Sequence, residues 1–366
     1  MYTIELNNIQ KDEPRFNNKF NKNSMIVEVF SAMVQGQDLA RFGANADKCA
    51  KYICQLGEKA EMGDMSAVAE LNTLRRFAIE PHVMEEAKLL GVFGSYKNVG
   101  YNETVEVEYT QYIGVDSAVK IQAEGLDVGT PALVKKRVRP TSQLISGGYA
   151  VDYRQVALGD MTNENQLQEE VRKQIRNKAV YYVMKTVFDA IENAQGVKYF
   201  EEGAGITKPM ADRILTNVRR FGKPTVTGDY ALLSQFTPWA GYVGDPSRGI
   251  LGISEKTMDK IAEDGMLSVY NGNILKELPN PYDLTKLTAD GKNFETVLPQ
   301  GLGIVVPAGG ASPVHTFTRG GLTSCTGLDV TTGKIVTRFD LETMALVEPT
   351  NEFKIGILHD TNLDTL

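Results

Sequence analysis

The chain has 366 residues and a mass of 40.3 kDa, long enough to bury about three-quarters of the surface its unfolded form exposes, so it needs neither metal nor bridges for a core. Its 39 Lys and Arg stand against 46 Asp and Glu, a net charge of −7. A broad phosphate-binding face rests on cationic side chains, and that balance argues against one. A hydrophobic fraction of 42% and a charged fraction of 23% are ordinary for a globular protein and exclude disordered and collagen-like classes.

The start has neither a basic region nor an apolar core, so no signal peptide is expected, and no apolar run approaches the roughly 20 residues of a membrane helix. Three cysteines do not suggest a disulfide framework, which points to a reducing cytoplasm. Residues 1–24 form a polar arm with six asparagines; such a segment cannot build a core alone, and either a neighbouring chain or its own body must hold it. Residues 24–91 read as helical, with Ala67, Leu71, Leu74 and Ala78 on one stripe, then Val83, Ala87 and Leu90 on another. Pro81 is expected to divide two helices, because it lacks an amide hydrogen and clashes with the preceding turn.

The pattern changes at Gly100. Val105, Val107 and Tyr109 alternate with Glu106 and Glu108, the mark of a half-exposed strand. Further strands are expected at 119–123, 133–138 and 149–156, punctuated by Gly125, Gly129 and Gly147-Gly148. A β-ribbon of this kind is marginal alone and leaves its edges open, so the expectation is that it projects and rests on another subunit. The one basic run, Lys135-Lys-Arg-Val-Arg139, lies on the ribbon. Its Arg137 and Arg139 share a face, as Glu106 and Glu108 do, and cross-strand or inter-subunit ion pairing is a better reading than nucleic acid at this net charge.

Residues 163–195 form the strongest element. Leu167, Val171, Ile175, Ala179, Val183, Val187 and Ile191 fall four apart, with Asn163 as a candidate N-cap and Gly196 as a stop. At 1.5 Å per residue this helix spans roughly 50 Å, either a long helix of a helical domain or a strut between bodies. Pro209 then opens a helix ending near Gly222, Asn271-Gly272 marks a hairpin, and the chain closes with strands at 334–340, 343–347 and 353–358.

No catalytic constellation emerges. His82, His315 and His359 are scattered, without metal-ligand companions, and each reads as a surface or core residue. The phosphate-loop likeness at 327–334 has glycines six apart and Ile335 where Ser or Thr should bind magnesium; Gly203-Ala-Gly205 is half of a dinucleotide fingerprint; Ser117 and Lys120 sit three apart on a strand and face opposite sides. The expectation is a protein with no catalytic residues, no cofactor and no metal.

The order of parts, polar arm, ribbon at 101–158, long helix at 163–195, mixed α/β body with the 265–279 hairpin and Leu278-Pro279, then closing strands at 335–339, 345–349 and 353–357, resembles the major capsid protein of tailed bacteriophages, with the Hong Kong 97-type fold. The likeness covers roughly residues 100–358. It implies an α+β chain with an N-terminal arm (1–24), an N-terminal helical region (25–99), an extended β-ribbon loop (100–159), a peripheral domain with a spine helix (160–205), an axial domain (206–330) and returning peripheral strands (331–366). It implies self-assembly into pentamers and hexamers of an icosahedral shell that encloses double-stranded DNA without reading its sequence. Scaffold, portal and decoration proteins are the further partners of such a shell; the membrane is not. A nanocompartment shell enclosing a cargo enzyme shares the fold and is the alternative; a soluble α/β enzyme with an unrecognised site is a third reading. Glu106, Glu108, Lys135, Lys136, Arg137 and Arg139 are the candidate inter-subunit contacts. Some members cross-link a ribbon lysine to an asparagine; Lys120, Lys135 and Lys136 offer donors, but residues 329–333 hold no asparagine, so no cross-link is expected.

Overall fold

The computed structural model describes residues 25–34, 37–113, 130, 132–151, 153–159, 162–239, 265–288, 291–308, 312–328 and 335–363. The arm at 1–24, the strand expected at 119–123 with Lys120, and the turn at 329–333 lie outside the described residues. The chain is α+β and divides into two compact units. The first comprises Met1–Leu89, Gln143–Ala179 and Thr318–Glu342, the second Leu90–Ser142, Val180–Phe317 and Thr343–Leu366.

Unit one opens with helices α1 (Met25–Val34), α2 (Ala46–Glu61) and α3 (Met65–Ala87). Val29, Phe30, Ile53 and Leu71 are fully buried among them. Gly63 turns left-handed between α2 and α3, and the Asp64 carboxylate then caps α3 by accepting from the Ser66 amide at 2.9 Å. The break expected at Pro81 is absent: α3 runs through it. Pro81 itself is exposed while Phe77, Ala78, Ile79 and Val83 are buried on either side, so packing offsets the hydrogen bond lost to the ring.

A second correction concerns the strand expected at 149–156. Strand β4 (Thr141–Val151) ends earlier, and Tyr153–Leu158 is a helix, α4. Its partner is α2, where Gly57 leaves no room for a side chain: a Cβ there would lie 2.6 Å from the Ala157 nitrogen. Long helix α5 (Thr162–Glu192) follows. Val171, Ile175, Ala179, Val183, Val187 and Ile191 are all buried, as the four-residue stripe requires, whereas Leu167 is exposed. Gly147 of β4 packs on α5, its missing Cβ facing Val171 and Ile175. The closing strands at 334–340 and 343–347 are one strand, β13 (Ile335–Val347), which lies between β12 (Val314–Leu328) and β4.

At the centre of unit one lies Arg75, with no solvent exposure. Its Nε and Nη2 donate to the two oxygens of Glu164 at 2.5 and 3.0 Å, and its Nη1 to Asn72 Oδ1 at 3.2 Å. Glu164 also accepts from the Tyr149 hydroxyl at 2.9 Å and from Gln168 at 3.3 Å, and Asn72 accepts from the Thr337 hydroxyl at 2.9 Å. One buried network thus ties α3, the first turn of α5, β4 and β13. Its carboxylate sits where the helix dipole also favours negative charge.

Unit two is built on a six-stranded mixed sheet in the order β5 (Tyr199–Gly203), β14 (Gly356–Asp360), β11 (Leu302–Pro307), β6 (Pro224–Gly228), β8 (Asn273–Glu277), β7 (Val269–Tyr270). The central strands β6 and β11 are buried throughout, as their apolar runs require. Helix α6 (Lys208–Arg219) covers the sheet with Ile214 and Val218, and Ile214 fills the space that a side chain on Gly356 would need. The Asn271-Gly272 hairpin forms as expected: both residues have positive φ, 47° and 78°, as a two-residue turn between β7 and β8 demands.

Removing one partner of a buried ion pair strands the other charge, at a cost of about 3–5 kcal/mol. Arg75→Ala and Glu164→Gln are therefore each expected to lower the free energy of unfolding by that much, measured by urea unfolding. Burial beside Glu164 pushes the Tyr149 phenol well above its ordinary value of 10. Above pH 10 the unfolded chain loses that proton and the folded chain keeps it, so stability is full below pH 10 and falls as pH rises beyond it. Tyr149→Phe should flatten this alkaline slope in pH-dependent melting curves.

Candidate assembly surface

In unit two, β2 (Val107–Ile113) and β3 (Ala132–Val138) pair antiparallel as a separate two-stranded ribbon. The register sets Glu108 opposite Arg137 and Tyr109 opposite Lys136. Since residues directly opposite share a face, Lys135, Arg137 and Arg139 join Glu106 and Glu108 on one side. Lys136 lies on the other, with Val107 and Tyr109, both buried.

The charged face is a ladder of cross-strand ion pairs. Lys135 Nζ is 2.9 Å and Arg137 Nε 3.3 Å from Glu108, and Arg139 donates twice to Glu106 Oε1, at 2.9 and 2.7 Å. Arg137 also reaches Glu106 at 3.9 Å. The hydrogen bond from Lys135, followed by its charge and by the bond from Arg137, holds the Glu108 carboxyl below its usual range. The cations remain 65–71% exposed while pairing, so the ladder orders the ribbon surface without closing it to other molecules. Three cations facing two carboxylates leave a positive excess.

Apolar groups that the sequence reading did not single out are exposed nearby in the fold. Ile113 and Leu133, at the distal end of the ribbon, are 51% and 54% exposed on its two faces. Also in unit two, β9 (Tyr282–Leu287) and β10 (Phe294–Thr296) form a second isolated hairpin with Tyr282, Leu284, Leu287 and Phe294 exposed. Its base is fixed by Asn280, which donates to Asp229 at 2.7 Å and to the Leu298 carbonyl at 3.0 Å and accepts from the Leu298 amide at 2.8 Å. These exposed apolar side chains make the hairpin a candidate contact surface. Only alternation could have signalled these residues, and alternation does not reveal that a hairpin stands apart from the sheet.

Among the described residues no group of three or more His, Cys, Asp or Glu is placed to hold a metal ion, and no helix is long and apolar enough to cross a membrane.

Similar solved structures include the capsid of cyanophage P-SCSP1u, with 10% identity, covering 72% of this chain and 85% of that one at a TM-score of 0.43. The mature capsid of bacteriophage PhiM1 has 14% identity, with coverage of 75% and 87% and a TM-score of 0.41. The SrpI encapsulin complex of Synechococcus elongatus has 9% identity, with coverage of 73% and 85% and a TM-score of 0.42. No curated protein matches the sequence. A family model, that of the SPbeta prophage-derived putative capsid protein YonB, matches residues 5–358. That match spans nearly the whole chain, which therefore belongs to this family and is a phage capsid protein, a structural component of the virion.

Proposed function

We propose that the chain is the major capsid protein of a phage head with the Hong Kong 97-type fold, self-assembling into the pentamers and hexamers of an icosahedral shell around double-stranded DNA. The family match over residues 5–358 is the observation that carries this reading. The two apolar hairpin surfaces support it, since exposed apolar side chains are costly to leave in water and a neighbouring copy would cover them, and the solvent-facing ion-pair ladder offers charges that such a copy can pair with. In this reading Glu106, Glu108, Lys135, Arg137 and Arg139 exchange partners across a subunit boundary, and Lys136 serves from the opposite face. The net charge of −7 gives DNA a non-adhesive lining. The division into arm (1–24), helical region (25–99), ribbon (100–159), peripheral (160–205, 331–366) and axial (206–330) parts belongs to the same proposal. So do scaffold, portal and decoration partners and the absence of catalysed turnover.

Exposed ion pairs contribute only about 0–1 kcal/mol each to a fold, whereas a like charge placed across an interface costs several. The double substitution Arg137→Glu and Arg139→Glu is therefore expected to melt within a few degrees of the parent yet fail to build particles, as read by sedimentation and electron microscopy. Normal particles from the variant would contradict the role given to the ribbon, and a cargo enzyme in place of DNA inside wild-type particles would favour a nanocompartment.

A further inference from the structure

Three side chains from distant parts of the sequence meet at the start of β1 (Ser95–Val99), in unit two. Ser95 Oγ lies 2.6 Å from His315 Nδ1, and His315 Nε2 lies 2.7 Å from Glu348 Oε1. The other carboxylate oxygen, Oε2, accepts from Asn351 Nδ2 at 2.7 Å, so Glu348 is held at both ends. The Thr316 hydroxyl donates to the Ser95 carbonyl at 2.9 Å and fixes the strand that carries the serine. Ser95 is exposed, while His315 and Glu348 are 21% and 17% exposed.

The protons of this relay follow from its chemistry. In the neutral imidazole, Glu348, a carboxylate that only accepts, selects the tautomer with its proton on Nε2. Nδ1 is then an acceptor, and its donor is the Ser95 hydroxyl. A serine whose hydrogen is directed at a neutral imidazole, itself oriented by a carboxylate, is the arrangement that activates a hydroxyl nucleophile. Lys97, two residues on, lies on the same face of the strand.

We propose that Ser95 is an activated acyl acceptor, taking an acyl group from a small activated ester or thioester, with His315 as general base and Glu348 as the positioning residue. Ser95 Oγ bonds to the acyl carbon as its proton passes to His315 Nδ1. The carbonyl electrons move onto oxygen and return to expel the leaving group, which takes the proton from Nδ1. The products are one ester on Ser95 and the free alcohol or thiol, with His315 neutral again. Glu348 balances the imidazolium that forms between the two transfers. The reaction goes beyond the shell-building role and asks for one event per chain, not turnover. A merely structural bridge would hold β1 in place but would leave Ser95 no more reactive than any other serine.

Two probes separate these roles on the full-length protein: p-nitrophenyl acetate, which releases p-nitrophenolate as the acetyl ester forms, and a fluorophosphonate, which loses fluoride as Ser95 Oγ bonds to phosphorus. Intact mass and peptide mapping are expected to show one adduct per chain, on Ser95, with both. Ser95→Ala should abolish it. His315→Gln should slow it at least about tenfold, and Glu348→Gln severalfold, in variants whose circular dichroism matches the parent. Should His315→Gln fail to fold, Ser95→Ala and Glu348→Gln still decide. No adduct with either probe, adducts spread over other serines, or an unchanged rate in folded His315→Gln or Glu348→Gln overturns the proposal.

Discussion

A guanidinium shut away from water must meet a carboxylate with good geometry or the fold loses several kcal/mol, and Arg75 makes this the organising constraint of unit one. The two-point contact with Glu164 fixes where α5 begins, because Glu164 lies in that helix's first turn. Tyr149 and Gln168 add two further donors to the carboxylate, and Asn72 passes the network on to Thr337 of β13. The N-terminal helices, for which sequence alone offered no role, are therefore where the long helix is anchored. A polar network of this kind specifies one arrangement more strongly than apolar packing does, since any shift leaves a buried group without its partner.

Much of this was legible from periodicity. The stripe from Val171 to Ile191 was readable because every fourth position is apolar, and the Asn271-Gly272 turn because few residue pairs tolerate two positive φ values. At Pro81 the local rule against proline in helix interiors gives way to the apolar surface that its neighbours bury. Tyr153–Leu158 misled because a short apolar run suits strand or helix equally, and contact with Gly57 of α2 decided it.

The chemistry was less legible than the fold. Alternation assigned Arg137 and Arg139 to one face and Lys136 to the other, but the pairing of Glu106 with Arg139 and the sharing of Lys136's face with Val107 and Tyr109 required the register. Arg75 reads in sequence as one polar residue of a helix, and its partner lies 89 positions away. Ser95 and His315 are separated by 220. No spacing rule covers such distances; only the folded chain brings these groups together.

A capsid protein has to present contact surfaces that are individually modest, so that misplaced subunits leave before a shell closes. Exposed ion pairs and short apolar hairpins fit that requirement better than one large hydrophobic interface would. The ladder on β2 and β3 keeps its cations mostly in solvent while already paired; in the proposed assembly this would let them change partners without burying a lone charge. The most direct test is sedimentation velocity of the purified wild-type protein over a range of concentrations, with electron microscopy of every fast fraction. Closed particles or five- and six-membered rings are the predicted result. A lone 40 kDa species at every concentration, unchanged by cell extract from a host producing the phage's other proteins, would contradict it.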